Sequence, residues 1–169
     1  DEKITLLLDH CRQETGRLDR LAKLLDLIPP PPAPISGPFE VPRDIPQFVG
    51  RGAQLAELCE ILFDAKPHTV YCLTGMGGIG KTALAIHAAH ILWGHFKLFK
   101  DGVLWAEPAG SDPLSILKRW ARAYGYDFGG LSNLDDCAAA VRRVLADKEI
   151  LVILDDVRSP EQVLPLLPG

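Results

Sequence analysis

The fold of this chain is decided by the stretch Gly75-Met76-Gly77-Gly78-Ile79-Gly80-Lys81-Thr82, which satisfies the pattern G-x-x-x-x-G-K-[ST] in full. Its glycines let successive backbone N–H groups turn inward without side-chain clashes, which makes a nest for anions. A helix pattern begins at Lys81 and would add free N-terminal amides and the positive end of its dipole. We therefore predict that the loop holds a chain of phosphates. Lys81 would reach the β- and γ-phosphates, and the Thr82 hydroxyl would ligate Mg²⁺.

Two predicted strands of a parallel sheet give the loop the surroundings of a nucleotide site. Residues 69–74 predict a buried strand that ends directly before the loop, and Ile150–Leu154 predicts another that ends in Asp155 and Asp156. Ligands bind beyond the carboxyl ends of parallel strands. We therefore expect Asp155 to hold Mg²⁺ through water and Asp156 to orient or deprotonate the attacking water. The alternative for both aspartates is a solvated turn after an apolar strand.

Helix and strand patterns alternate from residue 47 onward. Besides the two strands above, they predict a strand over residues 102–107 and helices over residues 52–65, from Lys81 to about Trp93, from Pro113 and after Ser132. Asp112-Pro113 is typical of a helix start, and Ser132 with Asp135 resembles a capping box. The alternation predicts the α/β class, namely a three-layer P-loop NTPase fold whose parallel sheet is covered by helices on both faces.

Composition divides the chain into three zones. Residues 1–28 are Leu-rich and helical in pattern, residues 29–46 contain eight prolines, and residues 47–169 carry the alternating pattern of the nucleotide-binding domain. The prolines predict a semi-rigid, extended linker, and a ligand for an aromatic-lined groove is the alternative. The two short helices predicted in the first zone need a partner surface, because helices of that length do not stabilise themselves.

The overall composition is that of an ordinary globular protein, with 47% hydrophobic and 24% charged residues and a net charge of −4. This charge gives no support to nucleic-acid or membrane binding, and no apolar run approaches the roughly 20 residues of a membrane-spanning helix. His87 and His90 share a helix face but lack the partners of a zinc site. The four cysteines form no C-x-x-C pair, so we expect reduced core thiols and a cytoplasmic location (Cys11, Cys59, Cys72, Cys137).

Three segments together resemble the NB-ARC ATPases, which belong to the signal-transduction (STAND) NTPases. They are Phe48-Val49-Gly50-Arg51 before a helix, the glycine loop, and Leu154-Asp155-Asp156-Val157. The resemblance covers residues 47–169. It implies that Val49, Gly50 and Arg51 contact the adenine and ribose of ATP or ADP, and that the loop from Gly75 through Ala83 binds the nucleotide. Gly52 stands where the family usually has Glu, so the contact made by that glutamate is not expected here.

The first zone carries a second resemblance. Residues 6–11 (Leu-Leu-Leu-Asp-His-Cys) and 16–21 (Gly-Arg-Leu-Asp-Arg-Leu) resemble the end of bacterial effector-associated, death-like helical domains. Such domains are adaptors that pair with like domains on effectors. The resemblance implies an effector or adaptor partner that binds through the N-terminal helices, and a plain helical linker is the alternative.

The family resemblance implies a regulatory switch in bacterial signalling or defence. ADP would hold a closed state, and ATP would permit self-association and effector recruitment, so we expect a slow Mg²⁺-dependent ATPase. The family's sheet has a further strand between the glycine-loop strand and the acidic strand. We therefore expect this chain to be part of a longer protein, with a sheet that is incomplete at the C-terminus. The alternatives are a P-loop kinase or other phosphoryl-transfer enzyme, and the ATPase module of a transcription regulator.

Overall fold

The computed structural model describes residues 37–168 of the chain. The predicted helices over residues 1–28 and the first part of the proline-rich stretch lie outside the described residues. Five α-helices and two β-strands follow one another within residues 37–168: α1 (Gly52–Phe63), α2 (Lys81–Gly94), β1 (Gly102–Ala106), α3 (Pro113–Ala123), α4 (Leu134–Leu145), β2 (Ile150–Leu154) and α5 (Pro160–Val163), followed by a 3₁₀ turn, Leu164–Leu166. None of these helices is long and apolar enough to cross a membrane.

The sheet of the described residues is a parallel pair of strands. β1 lies beside β2 with Gly102 opposite Ile150 and Ala106 opposite Leu154. Parallel strands need a long crossover connection, and α3 and α4 supply it. Every residue of β1 is buried, whereas every residue of β2 is half-buried. The predicted α/β class, with an incomplete parallel sheet, is confirmed.

The core lies between this sheet and the two crossover helices. Both helices place their apolar residues at three- and four-residue spacing, which turns one face toward β1. Trp120 of α3 is only 1% exposed, and Cys137 of α4 is fully buried. The other side chains of this cluster come from β1, α3, α4 and the 3₁₀ turn: Leu104, Ala106, Ile116, Leu117, Ala121, Ala138, Val141, Leu145 and Leu166. Helix α2 adds further buried side chains, namely Leu84, Ile86, Ala88, Ala89 and Leu92.

The N-cap of α3 is the residue predicted from the sequence, whereas the predicted N-cap of α4 needs a correction. Asp112 Oδ2 accepts a hydrogen bond from Ser115 N at 3.0 Å, and Pro113 is the first helical residue, as predicted. The capping box predicted at Ser132 is wrong by one position. Asn133 has the extended backbone of an N-cap, and its side chain accepts from Asp136 N at 3.1 Å. Asn and Ser are equally good caps, so sequence alone does not separate them.

The end of the proline-rich stretch pairs with the sheet instead of leading past it as a free linker. Val103 N donates to Pro38 O, and Glu40 N donates to Val103 O, both at 2.9 Å. Phe39 thereby forms a parallel bridge with Val103 at the edge of β1. Proline lacks a donor but keeps its carbonyl, which suits a sheet edge. Residues 38–48 are called the docked segment below; the domain boundary at residue 46 stays a prediction.

The strand predicted over residues 69–74 does not form within the described part of the chain, so that prediction is wrong here. No hydrogen-bonded ladder includes these residues. Val70 is 68% exposed and Leu73 43% exposed, and Cys72, expected in the core, is exposed as well. A strand depends on hydrogen bonds to a neighbouring strand, and no segment of residues 37–168 pairs with this one.

Candidate nucleotide-binding site

The glycine loop runs directly into α2. Gly80 is the N-cap of that helix and has a left-handed backbone with φ of +88°, a conformation that glycine adopts at little cost. Lys81 and Thr82 are therefore the first two helical residues. Lys81 Nζ donates to Gly75 O at 2.9 Å and to Met76 O at 3.0 Å. The ammonium group thus reaches back across the loop to its first two residues.

The surface of the loop is open to a ligand. Met76 is 79% exposed and Ile79 45% exposed. At Gly77 and Gly78, no atom lies within 4 Å of the position that a Cβ would take. Ala83 follows inside α2 and is half-buried. An open, glycine-lined turn that carries an ammonium group and leads into a helix N-terminus has the donors that a phosphate chain needs.

The acidic strand end meets the start of α2. Thr82 Oγ1 lies 3.0 Å from Asp155 Oδ1 and 2.8 Å from Asp155 Oδ2, so the hydroxyl donates to the carboxylate. Asp155 N donates to Ala106 O at 2.9 Å, which extends the ladder between β1 and β2 by one bond. A hydroxyl and a carboxylate are the hard oxygen ligands that Mg²⁺ prefers. The two predicted metal ligands are adjacent, and their chemistry fits the ion.

Asp156 has a different orientation. Its backbone is left-handed, with φ of +51°, which Asp tolerates better than most residues. Its Oδ2 accepts from Arg158 Nη2 at 3.0 Å. Gln162 Oε1 accepts from the backbone N–H groups of Arg158 and Ser159 at 2.9 and 3.2 Å, and this capping box fixes the turn. The carboxylate predicted to act on water is thus paired with Arg158, a residue that sequence reasoning missed although it follows Asp156 by two positions.

The segment predicted to contact the nucleoside ends beside the loop. Val49 is 84% exposed, and Gly50 has a left-handed φ of +82°. Arg51 is the N-cap of α1. A Cβ placed on Gly80 would lie 3.7 Å from Arg51 Cζ, so the guanidinium group lies next to the last glycine of the loop. The structure therefore brings Arg51, Lys81 and the carboxylate of Asp155 around one loop.

The chain is similar to one family of domains and to regulatory proteins of Streptomyces. The sequence model of the NB-ARC domain family matches residues 51–166. Regulatory protein AfsR of Streptomyces griseus is 36% identical over 140 residues, and Regulatory protein AfsR of Streptomyces coelicolor is 35% identical over 145 residues. Each alignment covers 78% of this chain, and the chain spans only 14% of the length of these relatives. No solved structure matches the chain significantly.

Proposed function

Since this chain belongs to the NB-ARC family, we propose that it binds ATP or ADP with Mg²⁺ and is the nucleotide-binding switch of a regulatory protein. The observation that carries this proposal is the contact of Thr82 with Asp155, at 2.8 Å, beside a loop that Lys81 spans. It joins the phosphate-loop motif and the acidic motif in one place. A solvated turn at the strand end does not account for that contact.

Each residue has a proposed role. The amides of residues 75–82 and the Lys81 ammonium bind the phosphates, so Lys81 exchanges its carbonyl partners in the loop for phosphate oxygens. Thr82 and Asp155 hold Mg²⁺, which when bound neutralises phosphate charge. Asp156 orients a water molecule, and its ion pair with Arg158 has to open for that role. Val49, Gly50 and Arg51 contact the nucleoside.

The regulatory part of the proposal is supported by the relatives. Both are named Regulatory protein AfsR, which favours a switch over a kinase or another phosphoryl-transfer enzyme. A module within a transcription regulator would use the same switch. We propose a slow cytoplasmic ATPase in which ATP permits self-association, and an effector or adaptor that binds through residues 1–28. Steady-state turnover tests this choice: slow hydrolysis with retained ADP agrees with a switch, and fast transfer to an acceptor contradicts it.

The site itself is tested by calorimetry with ADP or ATP in the presence of Mg²⁺. Lys81→Ala is expected to lower affinity about 10- to 150-fold, because a hydrogen bond to a charged group contributes about 1.5–3 kcal/mol. Lys66→Ala is the matched control, since Lys66 is exposed in the loop after α1. Asp155→Asn is expected to reduce the gain in affinity that Mg²⁺ gives. A folded chain that binds neither nucleotide would overturn the proposal.

A further inference from the structure

Two histidines of α2 hold the docked segment (residues 38–48). His87 Nδ1 lies 2.8 Å from Asp44 Oδ1, and His90 Nε2 donates to Pro42 O at 2.9 Å. Ring contacts accompany both hydrogen bonds. Phe48 stacks on His87 with centroids 4.7 Å apart, and Phe39 meets His90 edge-on at 4.9 Å. The segment is therefore bound side by side to the helix that begins at the phosphate loop.

The docked segment leads directly to the nucleotide site. Phe48, stacked on His87, precedes Arg51 by three residues. Arg51 is the N-cap of α1, and its carbonyl accepts a hydrogen bond from Leu55 N at 3.0 Å. The path to Arg51 is thus fixed on one side by His87 and on the other by a helix. Release of the His87 contact would leave the chain held by His90 at Pro42, nine residues before Arg51, and by α1 on the other side.

The position of Arg51 next to Gly80 depends on that path. Arg51 is half-buried, and its guanidinium group lies beside the loop. A long side chain such as that of Arg51 loses conformational entropy when it is held in one place. If the backbone is already fixed, less of this entropy is lost on ligand binding, and affinity is higher. A contact far from the ligand can change affinity in this way without touching the ligand.

We propose that His87 is a positioning residue for nucleotide binding: with Asp44 and Phe48 it fixes the docked segment on α2 and so places Arg51 against the glycine loop. This inference rests on the proposed nucleotide-binding function. The simpler alternative is that His87 stabilises only the fold of α2. The two differ in whether the effect of His87 on affinity passes through Arg51.

A double-mutant cycle separates them. ADP affinity with Mg²⁺ is measured by calorimetry for the full chain and for His87→Ala, Arg51→Ala and the double variant. Alanine has the higher helix propensity, so His87→Ala does not weaken α2 intrinsically. We expect it to lower ADP affinity about tenfold when Arg51 is present, a factor within the usual range of coupling between sites, and less than about twofold in the Arg51→Ala background.

Each outcome decides the matter. An equal loss in both backgrounds, or no loss in either, overturns the positioning role while the nucleotide site stands. No binding of ADP by the unsubstituted chain overturns the proposed function itself. His95→Ala is the control, because His95 is exposed at the end of the same helix and its side chain makes no hydrogen bond or ring contact within residues 37–168. If circular dichroism shows that His87→Ala is unfolded, Asp44→Ala removes the same hydrogen bond from the docked segment.

Discussion

Replacement of Gly80 by alanine is expected to destabilise the chain by about 1–2 kcal/mol relative to an alanine at an unstrained glycine of the same loop, which is the cost of a left-handed backbone for an L-residue. Gly80 has φ of +88° and leads the loop into α2. A methyl group there would lie 3.7 Å from Arg51 Cζ, an ordinary contact that adds no steric cost. The backbone conformation alone therefore sets the magnitude.

The matched control is Gly77→Ala in the same loop. The φ of Gly77 is outside the left-handed range, and nothing lies within 4 Å of its Cβ position. Alanine reduces the freedom of the unfolded chain equally at both positions, so the difference between the two variants isolates the cost at Gly80. Gly77→Ala itself is expected to raise the free energy of unfolding by about 0.4–1 kcal/mol through this reduced freedom.

The assay is urea unfolding without nucleotide, followed by circular dichroism. With a slope of about 2 kcal/mol per molar urea, Gly80→Ala lowers the midpoint by about 0.5–1 M relative to Gly77→Ala. Equal midpoints for the two variants would refute the reasoning. They would mean that the loop does not hold Gly80 in the left-handed conformation in solution.

Three further predictions concern the core, the thiols and a buried acid. Trp120→Ala is expected to cost about 3–5 kcal/mol in chemical unfolding, because the side chain is 1% exposed, and a loss under about 1 kcal/mol would contradict the core described above. Burial raises the pKa of Cys59 to about 11, whereas Cys72 is exposed. After iodoacetamide treatment at pH 8, peptide mass spectrometry is therefore expected to find Cys72 alkylated before Cys59. Faster alkylation of Cys59 would contradict this prediction. Burial also raises the pKa of Glu40, against the opposing effect of the Arg119 charge. The stability that protonated Glu40 contributes is present below about pH 4.5 and is lost as the pH rises through the folded pKa. The unfolding temperature of Glu40→Gln is therefore expected to rise relative to that of the unsubstituted chain as the pH is raised from about 4 to about 7. A difference between the two unfolding temperatures that does not change with pH would refute the shift.

Local patterns in the sequence were sufficient for much of this fold. Asp112-Pro113 predicted the start of α3, and the apolar residues Ile150–Leu154 predicted β2 with the bounds observed. The adjacency of Thr82 and Asp155 was also predictable, because the carboxyl end of a parallel strand lies where the phosphate loop opens. These features depend on short-range chemistry or on one general rule of sheet topology.

Other contacts between distant segments were not predictable. Residues 69–74 have the composition of a strand, but a strand also needs a partner, which composition does not supply. The prolines near Phe39 indicated a linker, yet the Pro38 carbonyl pairs with β1, and the rings of His87 and His90 bind the same stretch. Nothing in either histidine's neighbourhood along the chain indicates Asp44 or Pro42 as its partner.

The hydrogen bond between Thr82 and Asp155 connects residues that are 73 positions apart. Contacts of such separation carry a high loop-closure cost and form slowly. During refolding, we therefore expect the helical signal to recover before the ability to capture ADP, since α2 needs only neighbouring residues whereas the site needs β2 in place. Nucleotide would then bind only the fully folded molecules. Their free energy of unfolding would grow with the logarithm of the nucleotide concentration once that concentration exceeds the dissociation constant.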